Sequence, residues 1–106
     1  MACYFLIDTY IDTLRGRGEY DQYIEAVRPM VEQYGGAYLL RTEQVTGISA
    51  ERQPQRVIVI RFPSRAALDA CFGSAEYQAI AEKRAGSVDA RAVIAEEEGG
   101  EHDEEE

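Results

Sequence analysis

The sequence predicts one α+β domain in the order β-α-β-β-α-β, a four-stranded antiparallel sheet of order 4-1-3-2 with its helices on one face. Three observations lead there. Four short segments rich in β-branched and aromatic residues read as strands. Two intervening segments switch to a repeat of three and four residues, the helical period. Gly, Pro and Ser punctuate every junction.

The first strand spans Tyr4 to Asp12. Alternation puts Cys3, Phe5, Ile7, Thr9 and Ile11 on one face and Tyr4, Leu6, Asp8 and Tyr10 on the other. Both faces are largely apolar, as expected of a strand covered on both sides. A turn with Gly16 and Gly18 follows. From Glu19 the residues Tyr20, Tyr23, Ile24, Val27, Val31 and Tyr34 share one helical face. Pro29 within that helix cannot donate to the carbonyl of Glu25, which predicts a kink. Gly35-Gly36 supplies a left-handed stop.

Ala37 to Val45 reads as the second strand, with Tyr38, Leu40 and Thr42 opposite Leu39, Arg41 and Glu43. After a polar connection comes Arg56 to Phe62, RVIVIRF, β-branched almost throughout and read as fully buried. Pro63-Ser64 ends it, and Ser64 is suited to cap a helix. Leu68, Cys71 and Phe72 give that helix an apolar side, and Gly73 breaks it. Ser74 caps a second segment whose spacing of Tyr77, Ile80, Ala81 and Arg84 continues to Gly86, before a last strand from Val88 to Ala95.

Two β-α-β units joined by right-handed crossovers give the ferredoxin-like arrangement. Helices then cover one side of the sheet, yet strands one and three are apolar on both. A second copy of the chain is the economical cover for the other side, so a homodimer is expected.

No apolar run approaches the roughly 20 residues that span a bilayer. The opening segment lacks a basic region and is broken by Asp8, so it reads as a strand and not a signal peptide. Cys3 and Cys71, the two cysteines, read as buried thiols of a reducing compartment, and a cytoplasmic location is expected. The net charge of −9 is mostly local. Residues 1–95 hold twelve acids and eleven bases, whereas Glu96 to Glu106 hold eight acids and no Lys or Arg. The division is therefore a domain over 1–96 and an acidic tail over 97–106 that stays solvated. His102 with its acidic neighbours makes a poor metal site, and no metal or cofactor is expected. A near-neutral body gives nucleic-acid binding no electrostatic support.

Three segments are similar to a known family: YGGAYLLR at Tyr34–Arg41, QPQRVIVIRFPS at Gln53–Ser64 and SAEYQAIAEKR at Ser74–Arg84. Together they resemble the domain-of-unknown-function family thirteen-thirty, over about Tyr4 to Glu96. The resemblance implies a dimeric α+β barrel, in which two ferredoxin-like sheets pack face to face. Its wider relatives include cofactor-free monooxygenases, lactone isomerases, haem-dependent enzymes and small-molecule sensors, and fold alone does not choose among them. Two departures stand out. Arg61 occupies a position where the family usually carries Glu, and Leu14 to Gly18 replaces the usual Asp-Pro after the first strand.

The chain has no phosphate-cradling glycine loop, zinc-type His pair or Cys-His pair. Its one His lies in the tail, which removes Ser-His and proximal-His haem chemistry from the body. The remaining candidates are polar residues set in apolar elements. Asp8 is either a general base or a structural partner of a neighbouring Arg. Arg41 either grips a ligand carboxylate with its two-pronged guanidinium or pairs with Glu43 or a partner-subunit acid. Arg61 and Arg84 have similar standing, and Arg84 near a helix end also suits the helix dipole. Ser74 and Tyr77 open a helix, where backbone N–H groups favour anions, although a cap and a core tyrosine are the plainer account of them. The Tyr20, Tyr23, Tyr34 row reads mostly as helix packing, with a hydroxyl able to point into a cavity between helix and sheet.

The expectation is a homodimer binding a small polar or anionic organic molecule between sheet and helices, bounded by Asp8, Tyr38, Arg41, Ser74, Tyr77 and Arg84. Two alternatives stand beside it. One is a cofactor-free oxygenase or isomerase with Asp8 as base and Arg41 holding developing charge; the other is an interaction module with no pocket.

Overall fold

The computed structural model describes residues 1–12 and 14–98. The expected acidic tail therefore lies, from Gly99 onward, outside the described residues, and His102 with it. Seven elements follow one another: β1 (Cys3–Tyr10), α1 (Tyr20–Gln33), β2 (Ala37–Thr42), β3 (Arg56–Phe62), α2 (Arg65–Phe72), α3 (Ala75–Ala85) and β4 (Asp89–Glu96). The strands form one antiparallel sheet in the order β2-β3-β1-β4, which is the expected order read from the other edge. This is the ferredoxin-like α+β fold.

Local chemistry explains each boundary. The α1 helix runs on through Pro29 and stops where Gly35 takes a φ of +88°, a conformation that costs glycine little. Gly36 then lets the sheet close on the helix, because a Cβ there would lie 2.5 Å from Val31 Cγ1 and 3.0 Å from Phe62 Cε1. Ser64 caps α2 by accepting from the Ala67 N–H at 3.1 Å. The break at Gly73 splits the second crossover into two helices, and Ser74 caps the second by accepting from the Tyr77 N–H at 3.1 Å. Glu97 continues past β4, accepting from the Ala2 N–H at 3.2 Å and the Tyr4 hydroxyl at 2.8 Å.

The core lies between the sheet and the helices. On the sheet side it is built from Cys3, Ile58, Ile60 and Phe62. The helices contribute Tyr20, Tyr23, Val27 and Val31 from α1, Leu68 and Cys71 from α2, and Tyr77 from α3. Both cysteines are free thiols and fully buried. Phe72 is the pivot of an aromatic cluster, with ring centroids 4.6 Å from Phe5, 5.0 Å from Tyr77 and 5.9 Å from Phe62.

The opposite face of the sheet carries an uncovered apolar row. Strand register aligns Leu40, Val59, Leu6 and Val93 in one row across all four strands. Leu40 is 47% and Val93 62% exposed, which is the exposure that the two-faced strands predict for an isolated protomer.

One feature of β2 departs from simple alternation. The register shifts between Tyr38 and Leu40, so that Leu39 is an extra, bulged residue. Tyr38 pairs with Ile60 and Arg41 with Ile58, which puts both on the helix-covered face. Leu40 and Thr42 pair with Val59 and Val57 on the open one. Strict alternation assigns Tyr38 to the side of Leu40 and Thr42, and the bulge overturns that assignment. No helix among the described residues is long and apolar enough to cross a membrane.

Candidate functional site

The space between sheet and helices is not completely filled. A cavity of about 120 Å³ remains beneath α1 and α3. Its floor comes from β1, β3 and β4, through Phe5, Ile7, Ile58, Ile60, Ala90 and Ala92. The alanines of β4 create the room: Ala90 and Ala92 are the residues of that strand paired with Thr9 and Ile7 on the helix side, where larger side chains would fill it. Helical walls come from Tyr23, Ile24 and Val27 of α1 and from Phe72 and Tyr77. Thr9, Tyr20, Val31, Tyr38 and Arg84 complete the lining.

Polar groups enter this apolar space at two places. At the first, the Tyr23 and Tyr77 hydroxyls are 2.9 Å apart, and Arg84 stands over the Tyr23 ring at 5.7 Å. Among the described residues no carboxylate lies within salt-bridge distance of Arg84, although most arginines of the chain have one. Burial works against the charge of Arg84, yet beside Tyr77 and Tyr23 its pKa ends above the ordinary arginine value. Burial, followed by the neighbouring Tyr77, pushes the Tyr23 hydroxyl well above the usual tyrosine range. At neutral pH this corner therefore holds the Arg84 cation and the protonated Tyr23 hydroxyl, with no acidic acceptor among the described residues that line the cavity.

At the second place, Thr9 Oγ1 and the Tyr20 hydroxyl are 3.4 Å apart, with Thr9 fully buried and Tyr20 nearly so. The Tyr20 ring is held between two guanidiniums, Arg17 at 5.6 Å and Arg56 at 5.9 Å. Glu43 ties both arginines together, at 2.9 Å from Arg17 Nη2 and 2.9 Å from Arg56 Nη1.

The six residues expected at a site do not all meet here. Tyr38, Tyr77 and Arg84 line the cavity. Ser74 does not: its hydroxyl is used up capping α3 and donating to the Cys71 carbonyl at 2.7 Å. Arg41 is not among the cavity-lining residues and stands over the Tyr38 ring at 5.5 Å, with Arg28 over the same ring at 5.7 Å. It does not pair with Glu43, whose oxygens are taken by Arg17 and Arg56. Burial is the main cause that raises the Tyr38 pKa, and the two arginines oppose it.

Asp8 is the clearest correction. It shares the open face with Leu6 and Tyr10, because its cross-strand partners are Val57 and Arg91 on that face. The whole thickness of the sheet separates it from the cavity. There it accepts two hydrogen bonds from Arg52, at 2.5 and 2.9 Å. The partner is an arginine, as one expectation had it, but comes from the β2–β3 connection and not from a strand. Arg91, directly opposite, pairs with Asp89 instead. Arg61 also lies on the open face, opposite Tyr4.

Tyr23 and Thr9 are cavity residues that the expected set left out. The helical tyrosine row carried a signal for Tyr23. Thr9 carried one too, as the only hydroxyl among the apolar residues on its side of β1.

Comparison with solved structures gives the same fold. A protein of unknown function from Rhodopseudomonas palustris superposes with a TM-score of 0.76 at 18% identity, covering 92% of this chain and 83% of its own. A dimeric ferredoxin-like protein of unknown function from a Jannaschia species gives 0.68 at 19%, with 92% and 100% covered. SnoaB, a cofactor-independent oxygenase from Streptomyces nogalater, gives 0.64 at 6%, with 92% and 94% covered. At such identities the likeness is one of fold. No curated protein matches the sequence. Residues 4–98 match the family described as Domain of unknown function (DUF1330), and the chain belongs to that family.

Proposed function

We propose that the chain works as a homodimer that binds a small organic anion in the cavity between sheet and helices. The observation that carries this reading is Arg84, a cation at the wall of an apolar cavity with no carboxylate partner and two tyrosine hydroxyls beside it. Arg84 is only partly buried, and with no carboxylate partner among the described residues its two-pronged guanidinium is open to an anionic ligand. Ligand sites generally combine apolar walls with a few convergent polar groups, and this corner has that composition. The homodimer is supported by the uncovered row Leu40, Val59, Leu6 and Val93 and by the dimeric neighbour of the same fold. A cytoplasmic location is part of this reading, and two buried free thiols, which suit a reducing compartment, support it.

The cofactor-free enzyme reading rests on likeness to proteins such as SnoaB. It has less support from the residues themselves. Its expected base, Asp8, is on the other face of the sheet, and among the described residues no Asp, Glu or His lines the cavity. Binding without turnover is the better reading of this site.

Thermal shift and calorimetry against a panel of short-chain and single-ring carboxylates, each matched with its amide, test the proposal. Acids should raise the melting temperature where amides do not, and Arg84→Gln should abolish the difference. Equal shifts from acid and amide, or acid binding that survives in Arg84→Gln, would remove the anion site.

A further inference from the structure

The second polar place in the cavity narrows the ligand class, an inference that rests on the anion reading above. Thr9 Oγ1 and the Tyr20 hydroxyl are separated by 3.4 Å, well beyond the roughly 2.7–2.8 Å typical of an O–H···O bond. Each hydroxyl offers one donor and two acceptor positions, yet both are sealed from solvent and both line the cavity. Neither has another hydrogen-bond partner for its hydroxyl among the described residues. Tyr23 and Tyr77 differ in this respect, since their 2.9 Å contact is a fully formed bond. Buried hydroxyls with so little of their capacity used are costly, and a ligand hydroxyl or carbonyl set between them would use it.

The geometry also limits size. Tyr20 and Tyr23 carry the two polar places on successive turns of α1, with their rings stacked at a centroid distance of 6.2 Å. A cavity of about 120 Å³ is somewhat smaller than the roughly 150 Å³ engineered cavity that takes benzene. Its walls hold one ring or a short branched chain. We infer that the ligand is a small hydroxy- or oxo-substituted carboxylic acid, its carboxylate at Arg84 and its second oxygen between Thr9 and Tyr20.

Titration calorimetry with benzoate, 3-hydroxybenzoate and 4-hydroxybenzoate at neutral pH tests this. One hydroxy acid should bind about tenfold more tightly than benzoate, the gain expected of one good hydrogen bond. Thr9→Val, nearly the same in shape, should close the gap between that hydroxy acid and benzoate. Thr9→Ser should retain the gain, which separates loss of the hydroxyl from damage to β1. If benzoate binds through Arg84 and neither hydroxyl improves it, or if Thr9→Val weakens all three acids alike, the inferred class is wrong and the anion site stands. If none of the three binds while acyclic carboxylates do, lactate or pyruvate should bind more tightly than propanoate, and equal affinities would make the class wrong. If no carboxylate of either kind binds, both readings fall together.

Discussion

Tyr23 and Tyr77 are 54 residues apart in sequence, yet their hydroxyls meet at 2.9 Å and join α1 to α3 across the top of the cavity. Their rings meet edge to face at a centroid distance of 6.2 Å. Both side chains are buried, so each hydroxyl depends on the other. Replacing one by Phe leaves the other without its partner, at a cost of about 1–3 kcal/mol. Replacing both removes donor and acceptor together. Tyr23→Phe and Tyr77→Phe should therefore each lower the free energy of unfolding in urea, and the double variant should lose clearly less than the sum. Strict additivity would mean the two hydroxyls are not coupled.

Arg84 and Tyr23 set the pH range of ligand binding. Arg84 has its pKa raised above the ordinary arginine value, and Tyr23 is pushed above the usual tyrosine range. Neither changes charge between about pH 5 and pH 9. A carboxylate probe titrates near pH 4, so affinity should rise as pH climbs through that value and then stay level to about pH 9. A fall in affinity between pH 6 and 8, measured by calorimetry, would point to a titrating group other than these.

Much of this arrangement was legible in the sequence, and the exceptions have physical causes. Strand order, the helix breaks at Gly35 and Gly73 and both serine caps depend on local chemistry, and all are present. The sides of β1 were also correctly separated, with Asp8 beside Leu6 and Tyr10. What a strand apolar on both faces does not reveal is which face meets the helices, and so Asp8 was expected in a space it does not enter. Arg41 and Tyr38 illustrate a different loss. A single bulged residue, Leu39, exchanges the faces of everything beyond it in β2, and nothing in YGGAYLLR marks it. Arg84 followed from helical spacing alone. Its lack of an acidic partner is a tertiary fact.

The open face gives the most direct test of assembly. Val59 sits in the middle of the row, between Leu40 and Leu6, and its side chain points away from the core of its own protomer. Val59→Asp places a charge where a second copy would pack, at little cost to the isolated fold. Light scattering on the wild type should give twice the chain mass at low micromolar concentration, and the variant should give the monomer with unchanged circular dichroism. A monomeric wild type would leave the apolar row without its proposed cover.

Gly36 is expected to be intolerant for packing reasons. A Cβ would meet Val31 Cγ1 at 2.5 Å, Phe62 Cε1 at 3.0 Å and the Val31 carbonyl at 3.0 Å. Val31 and Phe62 are both fully buried, so neither can withdraw into solvent. Gly36→Ala should cost about 1–3 kcal/mol, as overpacking does, whereas Gly16→Ala meets no neighbour within 4 Å and pays only for its φ of +80°. Denaturation midpoints should rank Gly36→Ala as the more damaging of the two.

Glu43 predicts how acid weakens the fold. The hydrogen bond from Arg17 is the main cause holding its carboxyl below the ordinary glutamate value, and Arg56 adds to it against a burial penalty. A carboxylate with a depressed folded-state pKa binds its proton more weakly in the folded chain than in the unfolded one. Its stabilisation is therefore complete above the unfolded value of about 4.3 and is lost as pH falls through the lower folded value. Glu43 is 46% exposed, so screening keeps the contribution to about 1 kcal/mol or less. Asp89 and Glu97 are also shifted down by their arginine and hydroxyl partners and fade over the same range. The informative quantity is accordingly the difference between wild type and Glu43→Gln. That difference should be constant from pH 8 to pH 5 and should shrink toward zero by about pH 3, measured by urea denaturation at each pH. A gap that stays the same size at pH 3 would show that Glu43 acts through packing and not through its charge.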